Sequence, residues 1–273
     1  NFSSPFMDLV HGHQWAFYGS LFLPVPGNDS LLLLFHSDCW DSNFSGGLNY
    51  TLIDANANNG YGQITQHNVP LLTGAAGTVT AAYHDNGHDF WVVSADTSGY
   101  IYSWLVDSTL TPQPVDSFQI TSVLSLFGTP IRTAVPYFTT RPEVDLLAIS
   151  TSDMENGEST DYTLSLLHFD NTNGTFGYEL LLESNEGEVV TGDYQPVMHS
   201  FSPEGNWLYV PFAENCLPRN GYIKRYTNLY EAVNPGDVNS ETIYTTTSHA
   251  APYSVFHSPL GNMLFYTLPG DVN

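Results

Sequence analysis

The stretch that decides the fold is HDNGHDFWVVSADTSGYIYSWLV, residues 84–106. A polar turn leads into a short apolar strand that starts at Phe90, and a second turn at Gly99 leads into another strand through Tyr102. Runs of about four to eight β-branched and aromatic residues, bounded by Gly, Asn and Asp, are typical of antiparallel strands. The stretch therefore predicts strand, turn and strand.

This turn and strand recur along the whole chain. The copies read PGNDSLLLLF, DNGHDFWVV, RPEVDLLAI, SPEGNWLYV and SPLGNMLFY, with first strand residues Leu31, Phe90, Leu146, Trp207 and Met263. These anchors are 59, 56, 61 and 56 residues apart. A second strand follows four of the anchors, near Tyr50, Tyr102, Leu164 and Ile223. Repetition at a near-constant register favours the radially repeated sheets of a β-propeller over a pair of β-sandwiches.

We therefore predict an all-β protein, a β-propeller of four-stranded antiparallel blades with about five repeats visible. Residues 1–273 are expected to form a single propeller domain that is truncated at both ends, since the last repeat breaks off after Tyr266. Sustained helical periodicity is hard to find. The segment YTNLYEAV, ending at Val233, is the best candidate for a short helical turn before Pro235.

Charge limits the expected partners. Five Lys and Arg stand against 28 Asp and Glu, for a formal net charge of −23. Nucleic acid is not an expected partner, because binding to phosphates depends on clustered Lys and Arg. Apolar runs such as Leu31 to Phe35 are far shorter than the roughly 20 residues that span a bilayer, so we expect no membrane insertion. Strong acidity fits an extracellular or outer cell-surface location.

Only two cysteines are present, Cys39 and Cys216. That number is too small for a disulfide framework or a clustered-cysteine zinc site. Two unpaired thiols are the favoured interpretation, with one long-range disulfide as the alternative.

One block resembles a known family. Gly47 to Val106 contains GLNYTLIDANANNGYGQITQHNVPLL and then TAAYHDNGHDFWVVSADTSGYIYSWLV. It is similar to the long propeller domain of Bacteroidota secreted and surface proteins associated with gliding motility and type IX secretion. That family has a His-x-Asn-Gly-x-Asp-Tyr/Phe-Trp-Val turn and strand. The matching positions here are His84, Asn86, Gly87, Asp89, Phe90, Trp91 and Val92.

The resemblance implies a propeller with more blades than the repeats visible in this chain. Propellers of that family usually have a further strand set before the first anchor and more blades after the last. The resemblance therefore implies a seven-bladed parent, and it implies a role in adhesion or recognition at a cell surface.

Asp54, Asn56 and Asn58 alternate within DANANNG, as oxygen ligands do in a calcium loop. An EF-hand loop would have Gly at its sixth place and Glu at its twelfth, where this chain has Asn59 and Thr65. A plain Asn/Gly turn is therefore favoured, with a calcium site as the alternative. These three residues are the metal-ligand candidates of the chain.

The histidines invite a second metal hypothesis. His84 and His88 lie four apart, but that spacing puts side chains on one face only in a helix, and this segment is a predicted turn. His84 and His257 occupy the same place in their repeats, where Phe201 stands in another repeat. Because Phe cannot bind a metal, a packing or turn-stabilising role is favoured for this position.

No catalytic residue or cofactor site is nominated. Asp85, Asp145 and Glu204 recur near the repeat turns, where solvated turn residues are the favoured interpretation. The chain has no nucleophile elbow, phosphate-binding loop or dinucleotide fingerprint. Trp91, Trp104 and Trp207 lie inside strand patterns and are predicted to pack between blades rather than to bind sugars.

The sequence thus favours a non-enzymatic recognition or scaffold propeller that binds protein or glycan at the propeller face. The alternatives are a propeller hydrolase or lactonase with a cation in its central channel, and a structural spacer of a large adhesin. The sequence does not set the oligomeric state.

Overall fold

A computed structural model describes residues 19–37, 46–96, 98–121, 137–140, 145–152, 162–185, 194–196, 198–214, 221–246, 254–257 and 264–267. Cys39, Cys216 and the anchor Met263 lie outside these residues. The predictions on cysteine pairing therefore stay predictions.

The regular secondary structure of the described residues is almost entirely β-strand. The strands are β1 (Ser20–Val25), β2 (Asn28–Ser37), β3 (Gly47–Asp54), β4 (Gln63–Thr73), β5 (Ala75–Tyr83), β6 (Phe90–Asp96), β7 (Tyr100–Val106), β8 (Gln113–Gln119), β9 (Tyr137–Thr140), β10 (Leu146–Ser152), β11 (Tyr162–Asp170), β12 (Thr175–Ser184), β13 (Tyr194–Pro196), β14 (Ser200–Phe201), β15 (Leu208–Glu214), β16 (Gly221–Thr227), β17 (Asn239–Thr246), β18 (Ser254–His257) and β19 (Leu264–Thr267). One helical turn, α1 (Ala57–Gly60), and one 3₁₀ turn, Pro235–Asp237, complete the described elements.

Consecutive strands pair in chain order. Within the described residues, β1–β4, β5–β8 and β9–β12 form three four-stranded sheets, and β18 pairs with β19. The remaining sheet has the order β13-β15-β16-β17, and β14 also pairs with β15. The sheet pairings are antiparallel. Four antiparallel strands in chain order make up a propeller blade, so the predicted all-β propeller fold class is confirmed.

The repeat anchors fall at one place in these sheets. Leu31 lies in β2, Phe90 begins β6 and Leu146 begins β10, which are the second strands of their sheets. Trp207 comes directly before β15, the strand that follows β13 and β14. In the three four-stranded sheets the repeated turn and strand therefore mark the second strand. The strands predicted to follow four of the anchors, near Tyr50, Tyr102, Leu164 and Ile223, are β3, β7, β11 and β16.

The chain divides into two compact units, which we describe separately. The first comprises Asn1–Gln119 with Asn171–Thr175, and the second comprises Ile120–Asp170 with Phe176–Asn273. The core of the first unit is formed by apolar residues of β1 to β7. Its fully or almost fully buried members include Leu33, Phe35, Leu48, Val92, Trp104 and Val106.

The core of the second unit takes alternate residues from two adjacent sheets. Leu164 and Leu166 of β11 pack in one cluster with Leu208, Val210 and Phe212 of β15. This period of two is expected of strands that bury one face. Full burial of each such side chain contributes about 1.5–3 kcal/mol.

The predicted helical turn within YTNLYEAV is wrong. The structure has bends there, and the 3₁₀ turn comes after it, at Pro235–Asp237. Pro235 suits the first position of a helical turn because it lacks an N–H that would need a partner. Among the described residues, no helix combines the length and the apolar character needed to cross a membrane.

Candidate recognition surface

Residues 228–238, which connect β16 to β17, form a compact segment that we call the Tyr230 loop. Asn228 begins the loop in the left-handed region, at φ 61°. Its side-chain amide donates a hydrogen bond to the Asp237 carbonyl at 2.8 Å. Asn tolerates this backbone conformation better than most residues. The hydrogen bond from Asn228 to Asp237 therefore links the two ends of the loop.

The Asp237 carboxylate holds the second half of the Tyr230 loop. One oxygen accepts hydrogen bonds from the backbone N–H of Val233 at 3.2 Å and of Asn234 at 2.9 Å. The Asn234 side chain donates to the same oxygen. Hydrogen bonds from the backbone of Asn234 and of Val233 lower the pKa of Asp237. The carboxylate is therefore charged at neutral pH.

Side chains of the Tyr230 loop divide between core and solvent. Leu229 and Ala232 are buried in the core of the second unit. Tyr230 and Val233 point outward and are 67% and 69% exposed. Large apolar side chains held in solvent by a well-anchored loop are typical of binding surfaces.

Strand β12 lies next to this loop. The Tyr178 hydroxyl donates to the carbonyl oxygen of Ala232 at 3.3 Å, and the Tyr178 side chain is 51% exposed. Its ring stacks on His168 of β11, with 5.6 Å between the ring centroids. Tyr178, Tyr230 and Val233 together are the candidate recognition surface, and sequence analysis missed all three.

An ion cluster joins β12 to β16 within the second unit. The two carboxylate oxygens of Glu183 accept hydrogen bonds from the Lys224 ammonium at 2.7 and 2.8 Å. The hydroxyl of Tyr226 donates to Glu183 at 2.5 Å and that of Tyr162 at 2.9 Å. The Lys224 ammonium also lies 5.3 Å from the ring centre of Phe212, within cation–π distance.

This cluster shifts the pKa values of Glu183 and Tyr226. Burial alone would raise the pKa of Glu183, but hydrogen bonds from Lys224 and Tyr226, the Lys224 charge and the Tyr162 hydroxyl together lower it. Burial, with the charge and hydrogen bond of Glu183, raises the pKa of Tyr226. Every oxygen of the Glu183 carboxylate is engaged, so the cluster is built to hold strands together.

The sequence predicted that Trp207 packs between blades, but the structure leaves its side chain partly exposed. Strand β15 begins one residue later, at Leu208, so Trp207 ends the preceding turn and remains 36% exposed. The Arg225 guanidinium lies over its ring, 5.0 Å from the centroid, and forms an ion pair with Glu241. Trp91 and Trp104 are buried, as expected.

The calcium candidates form an Asx turn. Asp54 accepts hydrogen bonds through one oxygen from the backbone N–H of Asn56 at 3.0 Å and of Ala57 at 3.2 Å. Asn58 and Asn59 are in the left-handed region, at φ 54° and 58°. This is the Asn/Gly turn that the sequence favours, and the calcium site stays a prediction.

His84 contributes to turn geometry and packing. Its Nδ1 accepts a hydrogen bond from the backbone N–H of Asn86 at 3.0 Å, and its ring stacks on Trp91 with 5.1 Å between centroids. The Phe at the corresponding place, Phe201, is buried. His88 is exposed in the same turn, and the side chain of His257 lies outside the described residues.

The candidate carboxylates of a channel mouth lie in separate turns. Asp85 and Glu204 are exposed, and Asp145 directly precedes β10. In the part of the chain that the structure describes, no three His, Cys, Asp or Glu side chains come together as a metal-binding group. The hydrolase and lactonase alternative stays a prediction.

No protein-family model matches the chain, and no curated protein matches it. Among solved structures it is similar to the Vanderwaltozyma polyspora Nup133 β-propeller domain, with 9% identity, a TM-score of 0.47, and coverage of 88% of this chain and 69% of that one. An endo-arabinase from Bacteroides thetaiotaomicron has 10% identity, a TM-score of 0.47, and coverage of 97% and 93%. The Coprinopsis cinerea GH62 α-L-arabinofuranosidase catalytic domain has 12% identity, a TM-score of 0.48, and coverage of 90% and 80%.

Proposed function

We propose that this chain is a non-enzymatic recognition propeller of a secreted or cell-surface protein, which binds a protein or glycan partner. The observation that carries the proposal is the outward display of Tyr230 and Val233 beside Tyr178 on an anchored loop. Tyrosine is enriched where binding energy concentrates in interfaces. Anchoring by Leu229, Ala232 and Asp237 lowers the entropy lost when a partner binds.

The resemblance of residues 47–106 to propellers associated with gliding motility and type IX secretion supports this setting. In this proposal the propeller acts at the outer surface of a cell. A strongly acidic surface, with a net charge of −23, keeps such a protein soluble outside the cell.

The proposal is tested by screening the purified chain on arrays of glycans and of surface proteins. Wild type is compared with the double variant Tyr178→Ala/Tyr230→Ala. Tyr61→Ala is the matched control, because Tyr61 is an 88% exposed tyrosine in the first unit. We expect binding by wild type and by the control, and loss of binding by the double variant. A blank array for wild type would contradict recognition and favour a spacer.

A further inference from the structure

We infer that the surface formed by Tyr178, Tyr230 and Val233 takes a basic protein segment, one that combines Lys or Arg with apolar side chains. The inference rests on the proposed function and names the chemical class of the partner. It commits to protein rather than glycan.

The Tyr230 loop carries negatively charged side chains. Glu231 is exposed in the Tyr230 loop, and the Asp237 carboxylate closes the loop. Neither the loop nor β12 contains a Lys or Arg. The Asp, Glu, Lys and Arg side chains of the loop and of β12 are therefore all carboxylates, and complementary potentials across an interface favour a positively charged partner.

The two cations nearest to the loop along the chain are already paired with carboxylates. Lys224 is bound by Glu183 and Arg225 by Glu241. Both are engaged with carboxylates within the second unit, so their charges are already compensated. A partner's Lys or Arg would meet the field of an acidic protein, and the tyrosine rings would offer cation–π contacts.

The polar and apolar groups of this surface favour a protein partner over a glycan. The Tyr178 hydroxyl donates to Ala232, so this polar group is used inside the protein. Val233 is the most exposed apolar residue of the loop and offers no hydrogen-bonding group. An apolar centre with a charged rim is the anatomy of protein interfaces.

The experiment measures binding of short labelled peptides to the full 273-residue chain by fluorescence polarisation. One peptide alternates Lys and Arg with Leu and Tyr, a second replaces its basic residues with Glu, and a third replaces its apolar residues with Ser. We expect the first to bind most tightly, and Tyr230→Ala to weaken it at least about tenfold. Glu231→Lys should weaken it as well, and added salt should do the same by screening.

Tyr61→Ala is the matched control and should bind like wild type. Equal affinity of Tyr230→Ala and wild type for the first peptide would overturn the inference, as would equal binding of the acidic peptide. Glycans captured on the array and lost with the Tyr178→Ala/Tyr230→Ala variant would overturn it while leaving the proposed recognition function intact. If the chain bound neither glycans nor proteins on the arrays, the proposed recognition function would itself be overturned. Unchanged thermal unfolding of Tyr230→Ala confirms that the variant is folded.

Discussion

The Lys224 ammonium bridges both carboxylate oxygens of Glu183, at 2.7 and 2.8 Å, and thereby links β16 to β12. The two side chains are each 22% exposed, so the ion pair is partly shielded from solvent. The hydroxyls of Tyr226 and Tyr162 also donate hydrogen bonds to the Glu183 carboxylate. This contact ties together the two strands that border the candidate recognition surface.

Removing one partner of this pair should destabilise the second unit. Glu183→Gln leaves the Lys224 ammonium without its counter-charge, and we expect a loss of about 1–3 kcal/mol in the free energy of unfolding. Urea unfolding followed by circular dichroism measures it. Glu183→Gln combined with Lys224→Met should recover part of the loss, because no uncompensated charge remains. Additive losses in the double variant would contradict a direct interaction.

Acid should weaken the same contact. The folded-state pKa of Glu183 lies below its ordinary value of 4.5, so its contribution is complete above that value and is lost as the pH falls through the folded pKa. The stability difference between wild type and Glu183→Gln should therefore shrink as the pH falls from about 6 to about 3. Asp29→Asn, which changes an exposed carboxylate in the first unit, is the control. A difference that grows towards acid would contradict the assignment.

Two glycines provide a matched test of packing in the first unit. A Cβ on Gly174 would lie 2.3 Å from a ring carbon of Trp91, whereas a Cβ on Gly27 would meet nothing within 4 Å. Their φ angles are alike, 71° and 73°. Gly27→Ala should cost about 1–2 kcal/mol for the left-handed backbone. Gly174→Ala should cost about 2–5 kcal/mol, because overpacking is added. Denaturant unfolding compares them, and equal losses would contradict the contact with Trp91.

Asp237 should control the mobility of the Tyr230 loop. Asp237→Ala removes the acceptor of the Val233 and Asn234 amides. We expect hydrogen exchange at these two amides to accelerate, with exchange in β15 unchanged. Asp237→Asn retains an acceptor oxygen and should exchange more slowly than Asp237→Ala. Mass spectrometry of the peptide that covers the loop measures it, and identical exchange in all three proteins would contradict the role of Asp237.

Much of the fold follows from local sequence. Leu31, Phe90 and Leu146 each lie in a second strand because a polar turn followed by a short apolar run specifies that strand without information from elsewhere in the chain. Trp207 shows the limit of this reasoning. Its apolar character suggested the strand interior, but its position one residue before β15 leaves it partly in solvent.

The ion cluster of Glu183 and the candidate recognition surface could not be predicted in the same way. Glu183 is 41 positions from Lys224 and 43 from Tyr226, and nothing local in the sequence indicates that they meet. In the Tyr230 loop the signal was misleading. Leu229 and Ala232 are three apart, as are Tyr230 and Val233, and that spacing mimics a helix with one apolar face. Asn228 has a positive φ, and residues 229–234 form bends and irregular backbone instead of a helix.

Binding of partners at the Tyr230 loop is the basis of the proposed function. Its most direct test is hydrogen–deuterium exchange of the chain with and without the tightest ligand found on the arrays. We predict slower exchange in residues 228–238 and in β12 on binding, with no change at the Tyr61 turn. Protection elsewhere, with the Tyr230 loop and β12 unaffected, would contradict the claim.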